Sequence, residues 1–358
     1  MAPVSTILYG LTLLSFLVGN LWRPQLGSLS VPLIDIALAL TSVFIIWQNR
    51  FNLKKINYLV LIFIILSGLN LLIQSLPDLS LTPFLYWLRF SLWFMAIFLA
   101  PTQVVPPKLI FLGFGGFILI GFFQYFFYPD LRPLTCLNWD PHLYRLVGSL
   151  LDPAFTGLCL LLFLILLITQ PNLIRFQKFV IVLSYLALAL TYSRATFLSL
   201  IIFALYYSIH IKKATFFVKT LLLVALTLIL LPRPPGEGTK LERTSTIAAK
   251  IVNYRQAIGV LTSHPIVGIG YNRIGYFRPQ ETSASHARWG FDNSFLNIAI
   301  GNGLPMLLFF LYLLLNLWKS STAAFKCLLI AVFSHSFFSN SLIYPQIMAF
   351  LLLFKYRK

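Results

Sequence analysis

Acidic residues and cysteines are scarce in this 358-residue chain, and charged residues of either sign are few. Nine Asp and Glu accompany 27 Lys and Arg, and charged residues make up only 10% of the chain, whereas a soluble domain usually carries about a quarter. The three cysteines, Cys136, Cys159 and Cys327, are widely spaced, which excludes a disulfide framework or a paired-cysteine metal site. The sequence also shows no close carboxylate pair and no histidine cluster, so we expect no metal and no other cofactor.

Hydrophobic residues, in contrast, make up 59% of the chain and aromatic residues 16%. Apolar runs near the bilayer-spanning length of about 20 residues recur from end to end, so we expect a membrane protein in contact with lipid rather than a soluble multidomain protein. The net charge of +18 does not indicate a nucleic-acid partner, because the Lys and Arg residues are scattered between apolar runs without forming a basic domain.

The fold class that we predict is all-α, a polytopic protein of the cytoplasmic membrane with about twelve transmembrane helices. The predicted spans are residues 4–21, 30–47, 57–76, 80–101, 109–128, 154–169, 178–192, 195–211, 215–232, 291–317, 323–338 and 341–354. Residues 1–232 would carry spans 1 to 9, residues 233–290 one large polar loop, and residues 291–358 spans 10 to 12 with a short basic tail. The short connections rich in Lys and Arg alternate with poor ones, which by the positive-inside rule puts both termini in the cytoplasm and the large loop outside.

A second asymmetry concerns the type of charge. In this topology the cytoplasmic cations are mainly Lys, the outer cations are mainly Arg, and all nine acidic residues lie on the outer side or at an outer helix end. The guanidinium group recognises phosphate or carboxylate by two parallel hydrogen bonds, whereas a Lys charge suffices to anchor a loop to lipid. The outer face is therefore expected to bind an anionic ligand. The alternative is that Arg–Asp pairs only hold the outer loops folded.

Within the large loop, apolar residues at three- and four-residue intervals predict an amphipathic helix over residues 241–262, on the bilayer surface or against the bundle. The recurring residues are Ile247, Ile251, Tyr254, Ile258 and Leu261. At about 100° per residue, Arg243 falls within this stripe and Arg255 at its edge, so both are expected to point toward the membrane-embedded body. Alternatively, Arg255 extends to lipid phosphate.

Other candidate functional groups lie at the membrane boundary or within the membrane. Arg89, about midway along the fourth predicted span, is a functional candidate by default, or else a structural Arg satisfied by carbonyl groups or lipid headgroups. Arg194 lies at the outer boundary between two apolar runs. His286, Arg288 and Asp292 precede the tenth predicted span, where a reacting group could meet a lipid-borne substrate.

The order of these segments resembles the O-antigen ligase and polymerase superfamily, membrane enzymes that move glycans from a polyprenyl diphosphate carrier on the periplasmic face. The resemblance covers roughly residues 142–320. The matching pieces are Arg145 with Gly148 and Asp152-Pro153, Ser193-Arg194, Arg255 ten residues before PIVGIG at 265–270, DNSFL at 292–296 and GNGLP at 301–305. Their order and their placement relative to the predicted spans carry the resemblance.

The resemblance implies a GT-C-like, metal-independent transferase with a polyprenyl diphosphate-linked glycan as donor and a glycan or lipid-glycan as acceptor. By carry-over, Arg194 and Arg255 would bind the donor diphosphate. The further substrate-binding candidates that we predict are Arg145, Arg273, Arg288 and Arg89. The family usually has His-Asn where this chain has Asp292-Asn293, so the catalytic base would be either Asp292 or the displaced His286.

Two other classes of function compete with this interpretation. A transporter or lipid-linked glycan flippase would also be a polytopic apolar protein, but it would be expected to place polar groups and broken helices near the bilayer midplane, often in related halves. Here the polar residues concentrate in one loop. A non-catalytic membrane scaffold is the other alternative, because the family histidine is missing.

Overall fold

The computed structural model describes residues 2–26, 29–49, 58–76, 80–100, 105–137, 139–278 and 290–355. Apart from a two-residue hairpin (β1 Gln25–Leu26, β2 Leu29–Ser30) and an isolated bridge between Asp130 and Leu143, regular structure in these residues is helical. The prediction of an all-α fold is therefore confirmed.

The first nine helices follow one another along the chain, with the longest connection between α5 and α6. They are α1 Ala2–Val18, α2 Leu33–Asn49, α3 Tyr58–Ser75, α4 Leu81–Leu99, α5 Pro107–Phe127, α6 Pro153–Thr169, α7 Gln177–Ala189, α8 Arg194–His210 and α9 Ala214–Leu230. The remaining helices are α10 Ser245–Ser263, α11 Ser294–Asn302, α12 Leu304–Lys319, α13 Ala323–His335 and α14 Pro345–Leu353. Each predicted span coincides with a helix to within four residues at each end, except that the tenth is divided between α11 and α12.

Three of the described helices, α3, α4 and α5, are long and apolar enough to cross a membrane, and eight further apolar helices are shorter. The centre of the fold is α6, in which every residue from Leu158 to Leu167 is almost fully buried. It packs against α7, α8, α13 and α14. A helix that is apolar all round is expected to be surrounded by other helices. By contrast, α9 has only one buried residue, Val224.

The division of the tenth predicted span occurs at Gly303, which has a left-handed backbone conformation with φ of +86°. A Cβ at this position would lie 1.9 Å from the carbonyl oxygen of Ile266, so only glycine fits. The segment 265–270 lies against this break, where the amide of Ile269 donates to the carbonyl of Ile300 at 2.9 Å. The side chain of Asn70 on α3 donates to a carbonyl in each of the two segments of this junction, at Val267 and Gly301. The glycine-rich segments therefore build a structural junction.

The predicted amphipathic helix is α10, but its orientation differs from the expected one. Ile247, Ile251 and Ile258 are about half exposed, and Arg255 is exposed as well. The inner face carries Lys250, which bonds to the body of the protein, and also Ala257 and Leu261, which belong to an apolar cluster. The predicted stripe is therefore divided, because Leu261 packs inward whereas the isoleucines face outward, as in a helix that lies on the bilayer surface.

Candidate functional site

Two of the predicted arginines meet at the start of α8. The Nε and Nη2 atoms of Arg145 donate to the carbonyl oxygens of Thr191 and Tyr192, at 3.0 and 3.4 Å. Arg194 is the first residue of α8, and the Ser193 side chain caps that helix by accepting from the amide of Thr196. The structure thus brings Arg145 and Arg194 together from segments that are almost 50 residues apart.

A third arginine, Arg243, joins them from the large loop. Arg194 Nη1 donates to the carbonyl of Arg243 at 2.8 Å, and its Nη2 donates to the hydroxyl of Thr246 at the start of α10. A Cβ at Gly238 would lie 2.7 Å from Cδ of Arg145, so the same loop packs directly on that side chain. We call Arg145, Arg194 and Arg243 the arginine cluster.

The cluster carries more positive charge than its surroundings neutralise. No carboxylate oxygen of the described residues lies within 4 Å of any of the three guanidinium groups. Burial lowers the pKa of Arg145 to about 9, and the charge of Arg243 acts in the same direction. The pKa of Arg243 is lowered by burial and then by the charge of Arg194. An anion placed among these groups would be stabilised, and it would relieve their mutual repulsion.

The amino-terminal ends of two helices reinforce this field. Gly157 lets α6 approach α8 closely, because a Cβ there would lie 2.6 Å from the hydroxyl of Thr196. The amino-terminal end of a helix carries partial positive charge.

Three non-glycine residues in the left-handed conformation, Tyr144, Leu151 and Tyr192, come just before Arg145, Asp152 and Ser193-Arg194 respectively. Such conformations cost about 1 to 3 kcal/mol each and cluster at functional sites.

A large apolar cavity ends beside the cluster. It has a volume of about 820 Å³ and lies between α5, α6, α7, α8 and α9. Its lining runs along α9 from Phe216 to Pro232 just beyond the helix, which at 1.5 Å per residue is roughly 20 Å. The carbonyl of Pro232 accepts a hydrogen bond from the hydroxyl of Tyr192 at 2.7 Å, and the carbonyl of Tyr192 accepts from Arg145. Tyr192 therefore connects one end of the cavity lining, through its hydroxyl group, to the cluster, through its backbone carbonyl.

The predicted base Asp292 forms an ion pair with α10, one helical turn beyond the residue of α10 that contacts the cluster. Thr246, which Arg194 contacts, and Lys250 are four residues apart and so lie on one face of α10. Lys250 Nζ forms an ion pair with Asp292 Oδ2 at 2.8 Å and donates to the carbonyl of Phe338 at 2.6 Å. The Asp292 side chain is 48% exposed, and the second carboxylate oxygen is outside this pair.

A second carboxylate, Asp152, lies within electrostatic range of both Arg145 and Asp292. Its Oδ1 accepts from the amides of Ala154 and Phe155, at 2.7 and 3.0 Å, and so caps α6. Burial raises the pKa of Asp152, and the helix-cap hydrogen bonds oppose that change. The capping role accounts for the Asp-Pro pair before α6, since Asp is favoured at the cap and Pro at the first helical position.

Other predicted arginines lie elsewhere. Arg89 forms an ion pair with Asp35 of α2 at 2.8 Å and stacks on Tyr86, which agrees with the structural interpretation of this intramembrane charge. Arg273 is buried and lies over the ring of Tyr276. None of the described contacts of these two arginines reaches the cluster.

The remaining predicted site residues do not join the cluster in the described structure. Arg255 is exposed on the outer face of α10, so the expectation that it points toward the body was wrong. It lies about 140° around the helix from the inner residue Lys250, as five residues at about 100° each require. His286 and Arg288 lie outside the described residues.

Sequence reasoning missed four polar residues of this region. Arg243 was expected to point toward the body but was not assigned to the site, and Lys250 was not singled out at all. His335, at the end of α13, is fully buried and bonds through Nδ1 to the hydroxyl of Ser341 at 2.6 Å. His142 lies three residues before Arg145. A histidine within an apolar run was the available signal for His335, and proximity to Arg145 was the signal for His142.

Residues 179–311 match the family model described as O-antigen ligase. The match covers a little over a third of the chain, from α7 into α12, and includes Arg194, α10 and Asp292 but not Arg145. It confirms the resemblance to the O-antigen ligase and polymerase superfamily, and together with the apolar helices it supports an integral membrane protein of the glycan-transfer type. The comparison with curated proteins found no match.

Proposed function

We propose that this protein transfers a glycan from a polyprenyl diphosphate carrier to an acceptor hydroxyl on the extracytoplasmic face of the cytoplasmic membrane, without a metal. The observation that carries the proposal is the arginine cluster at the end of an apolar cavity roughly 20 Å long. A ligand that fills both parts must have a long apolar chain and a multiply charged anionic head. A polyprenyl diphosphate has this chemistry, and the family match concerns enzymes of this type.

In this mechanism the arginine cluster stabilises the leaving group. The acceptor oxygen attacks the anomeric carbon of the donor, the bond from that carbon to the diphosphate oxygen breaks, and the electron pair leaves with the diphosphate. Guanidinium groups held by backbone carbonyls, as Arg145 and Arg194 are, need no reorganisation when that charge develops. The products are the glycosylated acceptor and the free polyprenyl diphosphate.

The acceptor proton must go to a base near the attacking oxygen. Asp292 is the candidate within the described residues, because Lys250 fixes one carboxylate oxygen and leaves the other outside the ion pair. Its partner Lys250 is one helical turn from Thr246, which Arg194 contacts, so the proton transfer would occur near the diphosphate site. His286 remains the alternative base.

The proposal includes a topology with about twelve spans, both termini in the cytoplasm and residues 233–290 outside. The cluster, the start of α6, the start of α8 and Asp292 would then all lie at the outer membrane boundary. The exposed isoleucines of α10 would contact the acyl chains of the outer leaflet, as expected for a helix lying in the interface.

Reconstitution with a polyprenyl diphosphate-linked glycan and a series of glycan and lipid-glycan acceptors tests the proposal. Mass analysis should show a glycosylated acceptor together with the released carrier diphosphate. Turnover should persist in chelator, because no group in the mechanism requires a cation other than Arg and Lys. Loss of turnover in EDTA that is restored by Mg²⁺ or Mn²⁺ would refute the metal-independent mechanism, and movement of intact donor across the bilayer without transfer would favour a flippase.

A further inference from the structure

His142, in the loop between α5 and α6, is a titratable side chain within electrostatic range of Arg145 and Arg243. Its backbone is fixed, because its carbonyl accepts from the amide of Leu131 at 2.8 Å and the bridge between Asp130 and Leu143 closes the same loop. Its Nε2 atom is buried and has no hydrogen-bond partner among the described residues. An unpaired buried polar atom is costly, so its retention beside a charged cluster calls for a physical reason.

The charges around His142 are mainly positive. Burial and then the charge of Arg145 lower the pKa of His142 to about 4, the charge of Arg243 adds to this, and Asp140 opposes it. At neutral pH the imidazole is therefore uncharged. Two guanidinium groups of the arginine cluster therefore add to the effect of burial in keeping the imidazole neutral.

An anion bound to the cluster would offset the contribution of the guanidinium groups. A diphosphate would oppose the field of Arg145 and Arg243 at His142, and nearby negative charge favours the protonated imidazole. The protonated ring has N–H donors at both nitrogens, which suits a site rich in phosphate oxygens. The unpaired ring nitrogen and the uncompensated guanidinium groups are then satisfied by one ligand.

We propose that His142 is a fourth member of the anion site and takes up a proton when a diphosphate binds to the arginine cluster. This inference rests on the anion-binding role of the cluster that the proposed function assigns. It adds a ligand-linked protonation, in which the site gains one positive charge as the anion arrives. His142 would then face the departing diphosphate as an imidazolium group.

Nuclear magnetic resonance of the full-length protein in detergent, labelled at the Cε1 carbon of histidine, measures this protonation directly. The chain has five histidines, and His142→Gln assigns the relevant signal. Without ligand, the His142 signal should not titrate between pH 5 and 8, since the pKa is about 4. Saturating inorganic diphosphate should raise its midpoint by about 1 to 3 units, whereas chloride at equal ionic strength should not.

His264 provides the matched control, because it is exposed and its ring packs on Phe277 in another part of the loop. The signal that His264→Gln removes should not change when diphosphate is added. Calorimetry on the same samples reports diphosphate binding independently of the histidine signals. Binding without a change at His142 would overturn the inference and leave the anion site standing. No binding to the unmodified protein would overturn both the inference and the proposed role of the cluster.

Discussion

The two cations on α10 offer a direct choice between the family carry-over and the geometry. The resemblance assigns a diphosphate ligand to Arg255, whereas the structure directs Arg255 outward and places Lys250 on the inner face in an ion pair with Asp292. We predict that Lys250→Ala lowers transfer strongly and that Arg255→Ala, on the same helix, does not.

The expected magnitudes follow from the contacts. The Lys250 and Asp292 side chains are 32% and 48% exposed, so solvent screening limits the stability contributed by their ion pair to about 1 kcal/mol or less. The protein should therefore remain folded. A catalytic group displaced by about 1 Å can cost a hundredfold in rate, so we expect transfer in Lys250→Ala to fall about tenfold to a hundredfold. Substitution of an exposed residue such as Arg255 usually changes the free energy of unfolding by about 0.5 kcal/mol or less, and none of the described contacts joins Arg255 to the cluster or to Asp292, so we expect near-normal transfer.

The assay is product formation by the reconstituted protein, with donor binding and thermal unfolding measured on the same preparations. Lys250→Arg should retain part of the activity, because it keeps a cation beside Asp292. Strong loss in Arg255→Ala with near-normal transfer in Lys250→Ala would refute the reasoning from geometry and restore the carry-over.

Three further predictions concern the cluster, the base and the topology. Arg194→Ala should lower transfer by roughly tenfold to more than a hundredfold, because each charge-assisted contact is worth about 1.5 to 3 kcal/mol. Arg194→Lys should recover little activity, because lysine cannot form the two parallel hydrogen bonds of the guanidinium group. Normal donor affinity in Arg194→Ala would contradict this prediction. Asp292→Asn should bind donor normally but lose at least about a hundredfold in turnover, and the same result for His286→Gln instead would identify the other base. In a background without native cysteines, a membrane-impermeant reagent added to intact cells should label a cysteine at the exposed Lys240 but not at Ser320; the reverse pattern would invert the topology.

Much of the fold follows from the sequence because lipid imposes a simple rule. Apolar runs near the bilayer thickness become helices, and the helices lie within a few residues of the predicted spans. The break at Gly303 was not predicted, although the flanking glycine pattern was visible. A left-handed glycine that contacts a carbonyl 37 residues earlier depends on a tertiary contact, and no local pattern reports that contact.

The site was only partly predictable for a related reason. Arginine composition indicated an anion site on one face, and Arg145 and Arg194 do meet there. Periodicity left open whether α10 lies on the bilayer surface or against the bundle, and it did not indicate that Lys250 is on the inner face. The inner partners of a helix, such as Asp292 across more than 40 residues, decide its orientation, and they become known only from the tertiary structure.

The placement of α10 links the two halves of the proposed chemistry. Its first turn is held by Arg194 through Thr246, and its second turn holds Asp292 through Lys250. A shift of this helix would therefore alter the anion site and the position of the base together. An anion bound by Arg194 would contact the same side chain that holds the start of α10. In the proposed mechanism, diphosphate binding and the placement of the base would therefore be coupled through α10.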